Sequence, residues 1–200
     1  MSCNKKWMSF WWFLLEKGGI KIMNYHTITY PDQNNGDGLR VCLWLSGCSH
    51  HCKGCQNPQT WDKDSGILFD EKAKNELFEE LNKDYISGLT LSGGDPLNEY
   101  NVRMLYLLLK EIKEKFPTKT IWLYTGYVFE DILSLRENWA FCTQTGEYRY
   151  LIITLCDVLV DGQFKEELKD ITLPWRGSSN QRVINVQESL KQNKIVLHCN

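Results

Sequence analysis

Three cysteines stand within eight residues of one another, at Cys48, Cys52 and Cys55, in the pattern C-x3-C-x2-C. Thiolates this close in sequence can converge on one metal centre. Iron–sulfur clusters prefer thiolate ligands and usually have four of them. A fourth cysteine is missing locally, and a cubane held by three cysteines leaves one iron open for a substrate. An open coordination position is what a catalytic metal site requires.

Structural zinc is the alternative use of these thiols. It needs a fourth ligand, for which His50, His51, His198 and Cys199 are the candidates. Zinc ribbons have paired C-x2-C knuckles, and this sequence has no second pair. The spacing therefore favours an open iron–sulfur cluster, and a non-catalytic zinc-binding adaptor stays as the alternative.

The remaining cysteines are scattered, unlike those of a secreted disulfide scaffold. One tight group of three cysteines, with the others isolated in the sequence, indicates metal or redox chemistry in a reducing compartment. We therefore expect a cytoplasmic protein. We interpret the others as buried or incidental thiols; they are Cys3, Cys42, Cys142, Cys156 and Cys199.

Length and charge exclude several classes of protein. The chain has 200 residues, of which 42% are hydrophobic and 24% charged, and this globular composition excludes a disordered tail, a collagen-like fibre and a pure coiled coil. The formal net charge of -2 leaves no basic excess to neutralise phosphates, so we expect no nucleic-acid partner.

The N-terminal 22 residues need a separate interpretation. The apolar run at 7–15 superficially resembles a signal peptide, but it is too short to span a membrane and no small-residue cleavage site follows it. Met23 reads as a natural start, and the codons of Gly18 and Gly19 must resemble a bacterial ribosome-binding sequence. We therefore expect residues 1–22 to be a non-native leader or disordered extension before one domain at 23–200. Mass spectrometry of the native protein would decide, since an intact Met1 terminus contradicts this expectation.

Strand patterns recur along the chain after Met23. Short apolar runs that end in polar or glycine residues predict strands at 41–45, 88–92, 120–124 and 157–160. Weaker candidates lie at 183–186 and 195–198.

Helix patterns separate these strands. Asp70 is expected to cap a helix whose apolar face ends at Leu81, and Asp95 to cap another with Pro96 at its first position. The second helix should bury apolar residues as far as Phe116. A short helix is expected at about 128–135, and 136–150 is expected to be a loop or insertion.

Strands that alternate with helices predict right-handed parallel βαβ units, hence an α/β fold. In such folds ligands bind beyond the carboxyl ends of the strands. The cysteines follow the first predicted strand, and Gly93-Gly94-Asp95-Pro96 follows the second. We therefore expect these two motifs to meet at one edge of the sheet.

Together, the two motifs resemble those of the radical S-adenosylmethionine superfamily. The resemblance implies a single-domain α/β fold, a partial parallel (β/α)6-type barrel. It also implies that Cys48, Cys52 and Cys55 hold a [4Fe-4S] cluster, whose open iron binds the amino and carboxylate groups of S-adenosylmethionine. The glycine-rich turn, usually GGEP, contacts the amino group. Taken alone, Gly93-Gly94-Asp95-Pro96 is equally consistent with an ordinary strand-to-helix turn.

Further segments are similar to the glycyl-radical enzyme activases that serve anaerobic ribonucleoside-triphosphate reductase. The resemblance covers residues 23 to about 186. It departs in the leader, in a longer stretch at 136–156, and at Gly54, where many superfamily members have an aromatic residue. The matching segments are NGDGLR at 35–40, CQNPQTW at 55–61, LYTGY at 123–127, VLVDGQF at 158–164 and WRGSSNQR at 175–182.

This resemblance implies an activity. A flavodoxin-type donor reduces the cluster, S-adenosylmethionine is cleaved to methionine and a 5′-deoxyadenosyl radical, and that radical takes a hydrogen atom from a glycine of the reductase large subunit. The alternatives are an activase of another glycyl-radical enzyme and another short radical enzyme. No membrane role is expected.

The resemblance also implies which residues bind the cofactor. Gly54, Cys55 and Gln56 would line the methionine moiety, and Gly93 and Gly94 its amino group. Residues that end later strands would contact ribose or adenine, unless they are ordinary turn residues. The segment 176–182 would dock the partner or close the site, unless it is a solvated loop. We interpret His50 and His51 as groups that lie beside the cluster or at the surface and do not bind it. The strand-end residues are Thr125, Gly126, Asp161 and Gly162.

Overall fold

A mixed seven-stranded sheet forms the centre of the computed structural model, which describes residues 23–137 and 143–199. The strand order is β3-β1-β2-β4-β5-β6-β7. The strands are β1 Asn24–Asp32, β2 Leu39–Leu45, β3 Ile67–Leu68, β4 Ile86–Gly93, β5 Thr120–Tyr124, β6 Val158–Asp161 and β7 Arg182–Asn185. The helices are α1 Glu71–Leu81, α2 Val102–Lys115, α3 Phe129–Glu137, α4 Gln144–Leu155 and α5 Val186–Gln192.

Four neighbouring strands, β2, β4, β5 and β6, are parallel. The flanking strands β1, β3 and β7 pair antiparallel, so the fully parallel arrangement that we expected holds only for the centre of the sheet. The chain is thus a mixed α/β domain with a partly parallel sheet. The leader expected at residues 1–22 lies outside the described residues.

Alternation along the strands gives the sheet two different faces. Leu43, Leu91 and Leu123 are aligned on neighbouring strands and are fully buried in the main core with the apolar faces of the helices. On the opposite face a smaller cluster centres on Trp122, whose ring meets that of Trp175 edge to face with ring centroids 5.8 Å apart. Polar residues also lie on this second face, so it offers hydrogen-bonding groups to a ligand.

Several sequence predictions are confirmed by these elements. The strands at 41–45, 88–92 and 120–124 are present, with the first two longer than expected, and the fourth is shifted by one residue to Val158–Asp161. Asp70 caps α1 by accepting a hydrogen bond from the Ala73 N–H at 2.9 Å. Of the weaker candidates, 183–186 is largely β7, whereas 195–198 contributes a single bridge, from Leu197 to Ile184.

Two helix boundaries differ from the prediction. Asp95 does not cap α2, which begins only at Val102, because turns bonded to Asp95 and Asn98 occupy 95–101. Phe116 is the residue that ends the helix, half-buried beside Phe78, instead of a member of its buried face.

The predicted loop at 136–150 is partly wrong, because α4 begins at Gln144. Thr143 caps it by accepting a hydrogen bond from the Gly146 N–H at 3.1 Å. Glycine and tyrosines in its first two turns obscure the helical period in the sequence. Strands β1 and β3 were not predicted, since polar residues interrupt β1 and β3 has only two residues.

A fully buried arginine, Arg40, joins three central segments on the second face. Its five N–H groups donate to Thr90 Oγ1, Thr120 Oγ1 and the carbonyls of Asp37, Leu89 and Thr120, at 2.6–3.1 Å. Burial lowers its pKa to about 10, so the guanidinium keeps its charge at neutral pH. The Trp122 ring lies 5.4 Å from the guanidinium carbon and supports this charge.

No helix among the described residues is long and apolar enough to cross a membrane.

We expect Arg40→Lys to lower the free energy of unfolding by about 3 kcal/mol, because an ammonium has three donors and leaves buried oxygens unsatisfied. Anaerobic urea denaturation of the variant measures this loss. The matched control is Arg103→Lys on the exposed side of α2, which should stay within about 0.5 kcal/mol of the parent. Equal urea midpoints for the two variants would contradict the role given to Arg40.

Candidate metal centre

The three cysteines occupy the loop that follows β2, at the carboxyl end of the parallel strands. The start of this loop is fixed by two main-chain hydrogen bonds, from Gly47 N–H to the Thr60 carbonyl at 2.8 Å and from Cys48 N–H to the Trp61 carbonyl at 2.9 Å. Within the loop, Cys55 N–H donates to the Cys52 carbonyl at 3.1 Å. The loop is therefore held at both ends and folded tightly between its second and third cysteines.

Each of the three cysteines is a free, half-buried thiol whose sulfur accepts a main-chain N–H. Burial raises the pKa of Cys48, and the charge of Asp95 adds to the rise, while the N–H groups of His50 and His51 oppose it. Burial likewise raises the pKa of Cys52, against a hydrogen bond from the main chain of Phe164.

Cys55 Sγ accepts the Asn57 N–H at 3.3 Å. Main-chain hydrogen bonds to ligand sulfurs tune the potential of iron–sulfur clusters. Three partly covered thiols with N–H groups directed at them are a donor set that fits a cluster with one open iron.

Zinc requires a different arrangement, with ligands around one point at 2.0–2.3 Å. Among the described residues, no three histidine, cysteine or acidic side chains, the three cysteines included, are placed around one point in this way. Of the histidines considered for zinc, His51 stacks on Trp61 with ring centroids 4.8 Å apart. His198 pairs with Asp37, which precedes the amino end of β2, at 2.7 Å.

The glycine turn after β4 packs directly against the cysteine loop. Gly94 N–H donates to the Leu45 carbonyl at 2.7 Å, and Asp95 N–H to the Gly47 carbonyl at 2.8 Å. A Cβ on Gly94 would lie 2.6 Å from the Gly47 oxygen, and Gly93 has a φ of 99°. Glycine is thus required where the ends of two strands approach, and the expected meeting of the two motifs is confirmed.

Asp95 is a buried carboxylate that connects the ends of β4 and β5. It accepts hydrogen bonds from Leu97 N–H at 2.8 Å, from Thr125 Oγ1 at 2.9 Å and from Gly126 N–H at 3.0 Å. It is only 2% exposed. His50 Nε2 lies 2.8 Å from Asp95 Oδ2, within ion-pair distance although not at a hydrogen-bonding angle.

His50 connects the cysteine loop to three other segments. Besides Asp95, its ring meets Tyr127 edge-on with centroids 4.7 Å apart, and its Nδ1 lies 3.0 Å from Gln163 Nε2. A Cβ on Gly126 would overlap the imidazole ring. His50 is therefore a mostly buried link, whereas His51 is exposed.

A cavity of about 330 Å³ opens beside the second and third cysteines. Its walls come from the carboxyl ends of β2, β4 and β5 and from the segment after β6. Its wall includes the polar side chains of Cys52, Cys55, Gln56, Ser92, Tyr124 and Arg176.

The other expected cofactor residues lie elsewhere. Gly54 is exposed, and a Cβ there would lie 2.9 Å from Glu166 Oε1. Thr125 uses its hydroxyl on Asp95, as described above. Asp161 lines a separate cavity of about 640 Å³, with its carboxylate accepting the Phe129 N–H at 2.9 Å and hydrogen bonds from Arg182.

Sequence reasoning missed the part of the site that comes from strand alternation. Ser92 and Tyr124 lie one residue beyond Leu91 and Leu123 and therefore point to the opposite face of the sheet. That pattern was available in the sequence. Asp95 was identified only as a helix cap and Arg176 only as part of the segment 176–182, because the contacts of Asp95 with Thr125 and Gly126 and the position of Arg176 in the cavity wall are set by the fold.

The chain is similar to known proteins over most of its length. A model of the 4Fe-4S single cluster domain family matches residues 34–184. An anaerobic ribonucleoside-triphosphate reductase-activating protein of Enterobacteria phage T4 is 42% identical over 80% of this chain and 93% of its own. Proteins of the same name from Haemophilus influenzae and Escherichia coli strain K12 are 38% and 39% identical over 80% of this chain, and over 96% and 97% of their own.

The family match favours an iron–sulfur cluster over the zinc alternative, in agreement with three thiols that lack a local fourth partner. Identities of 38–42% across nearly the whole length of these relatives show that the chain is of the same family. Residues 34–184 match the 4Fe-4S single cluster domain, and this chain belongs to the family of anaerobic ribonucleoside-triphosphate reductase-activating proteins.

Proposed function

We propose that this chain activates an anaerobic ribonucleoside-triphosphate reductase by generating a glycyl radical in its large subunit, with S-adenosylmethionine as co-substrate. The observation that carries the proposal is the cysteine loop, with three half-buried thiols at the carboxyl ends of parallel strands and a cavity beside two of them. The names of the relatives support the choice of the reductase over another glycyl-radical enzyme.

Cys48, Cys52 and Cys55 would hold the cluster, which when bound would supply the electron for cleavage of S-adenosylmethionine to methionine and a 5′-deoxyadenosyl radical, and that radical would take the glycine hydrogen to become 5′-deoxyadenosine. The protein's own residues hold the reactants and exclude water. A cavity of about 330 Å³ is within the usual range for small-molecule sites.

The binding roles of individual residues follow from their positions. We propose that Gln56 and Cys55 line the methionine end of the cavity and that main-chain groups of Gly93 and Gly94 receive the amino group. Gly54 has no side chain and contributes main-chain groups only. Glu166 lies where a Cβ of this residue would be. Thr125 and Asp161 act by fixing strand ends, since their side chains already bind protein partners.

The polar face of β2, β4, β5 and β6 is, in this proposal, the inner face of a partial barrel. A flavodoxin-type protein in the cytoplasm is the proposed electron donor, because a cluster of this type needs a one-electron reductant. The reductase large subunit is expected to meet the loops at the carboxyl ends of these strands.

The direct test is an anaerobic assay of the reconstituted protein with dithionite, S-adenosylmethionine and the candidate reductase. We expect 5′-deoxyadenosine and a glycyl doublet in the electron paramagnetic resonance spectrum, the doublet only when reductase is present. Cleavage of S-adenosylmethionine without a doublet would point to a different substrate.

Cys52→Ala should abolish both products, because two cysteines cannot hold the cubane in place. The fold should survive, since Cys52 is half-buried in a loop. The control is Cys199→Ala, which removes a half-buried thiol outside the loop and should retain the full iron content and activity. Turnover by Cys52→Ala near the parent level would refute the ligand assignment.

Asp95 positions the cysteine loop against the ends of β4 and β5, so its loss should loosen the site. Asp95→Asn places an NH2 group among donors, and we expect it to lower the free energy of unfolding by about 2 kcal/mol and to reduce the iron bound per chain. Urea denaturation and iron analysis measure the two effects. Asp84→Asn, at an exposed position, is the matched control. A normal iron content in Asp95→Asn would show that the loop does not depend on this carboxylate.

A further inference from the structure

Arg176 has an incompletely used guanidinium at the wall of the cavity beside the cysteines. Its Nε is buried and has no hydrogen-bond partner among the described residues. The contact that the group makes is a long one, from Nη1 to the Gln181 carbonyl at 3.3 Å. A buried charged donor without a partner is costly, so such a group in a cavity marks a position where a ligand acceptor completes it.

Other arginines of the fold are occupied in a different way. Arg40 gives all its N–H groups to protein oxygens, as described above. Arg182 pairs with Glu130 at 2.7 Å and with Asp161. Both carboxylates hold Arg182 away from the cysteine cavity and in the wall of the neighbouring one. Arg176 is therefore available to a ligand where Arg182 is not.

The segment around Arg176 is fixed before any ligand arrives. Gln181 Oε1 accepts the N–H groups of Gly177 and Ser178 at 3.0 and 3.2 Å, and Gln181 Nε2 donates to the Gly162 carbonyl at 3.0 Å. The preceding residue, Trp175, has a φ of 60°, a left-handed conformation that a bulky residue rarely adopts. The main chain beside Arg176 is therefore held in place, so binding of a ligand need not order this segment.

The cavity's other walls indicate which acceptor fits. Cys52, Cys55 and Gln56 place its interior next to the proposed cluster. A planar guanidinium edge matches the geometry of a carboxylate or a phosphate. Of the charged groups on S-adenosylmethionine, the amino group and the sulfonium are cationic, and only the α-carboxylate is an anion.

We propose that Arg176 is a positioning residue that donates through its Nε edge to the α-carboxylate of S-adenosylmethionine. This inference rests on the proposed function. In this arrangement the carboxylate lies on the side of the cavity formed by the segment after β6. This contact orients the sulfonium relative to the cysteine loop.

The test compares two ligands that differ only in this carboxylate. Isothermal titration calorimetry of the anaerobically reconstituted, unreduced holoprotein measures the affinity for S-adenosylmethionine and for decarboxylated S-adenosylmethionine. Arg176→Gln should weaken binding of S-adenosylmethionine by roughly 10- to 100-fold, the usual loss for a charge-assisted hydrogen bond. Binding of the decarboxylated ligand should change by less than about 3-fold, since it has no carboxylate for Arg176 to meet.

Two further variants make the result specific. Arg176→Lys keeps the positive charge and should recover part of the loss. Lys169→Gln removes an exposed positive charge from the same segment and should leave both affinities unchanged. Iron content and the visible spectrum confirm that each variant holds its cluster, and Arg176→Lys alone serves for the comparison if Arg176→Gln does not fold.

Equal losses for the two ligands would overturn the proposal, because Arg176 would then act on cavity shape or on the charge of the cluster. No loss for either would assign the guanidinium to the reductase instead. If the parent holoprotein binds neither ligand, the proposed function fails and this inference fails with it, an outcome distinct from the other two.

Discussion

The arrangement of the site depends on one buried carboxylate, that of Asp95. It receives hydrogen bonds from its own turn and from the end of β5, and the imidazole of His50 in the cysteine loop lies against it. Three separate loops are thereby joined at a single point. A carboxylate can do this because it accepts several hydrogen bonds at once, and a buried one is stable only when it does. The cysteine loop is consequently fixed relative to the sheet, and a rigid frame of this kind is needed if three sulfurs are to bind one cluster.

The sheet separates stability from chemistry by its alternation. Leucine, isoleucine and valine on one face pack against the helices and form the main core. The other face has polar groups that are satisfied internally near the amino ends of the strands, as around Arg40, and that remain available near the carboxyl ends, as at Ser92 and Tyr124. The buried guanidinium of Arg40, surrounded by neutral oxygens, joins the strands near their amino ends. The cavity beside the cysteines lies at their carboxyl ends. The same four strands thus serve both purposes without sharing side chains between them.

Sequence reasoning reached the parts of this structure that are encoded locally. Apolar runs identified the central strands, and Asp70 marked the start of α1, because hydrophobic period and capping are properties of neighbouring residues. It failed for β1, for α4 and for the role of Asp95. The strand pairing of β1 is decided by β2, and the Asp95 carboxylate is used by Thr125, thirty residues later. The cysteine group could be identified from its spacing as a candidate cluster site, but the burial and orientation of His50 and Arg176 could not be predicted.

The two edges of the sheet differ in how far they are covered. On one side β3 has only two residues, and on the other side the chain near Leu197 bonds to β7, with Asn185 N–H donating to the Val196 carbonyl at 2.9 Å and His198 N–H to the Val183 carbonyl at 2.8 Å. The short β3 pairs only with Asn24 and Tyr25 of the nine-residue β1, whereas a covered edge such as that of β7 cannot accept a strand from another chain. A protein that approaches the β7 edge must therefore recognise side chains and loops instead of extending the sheet.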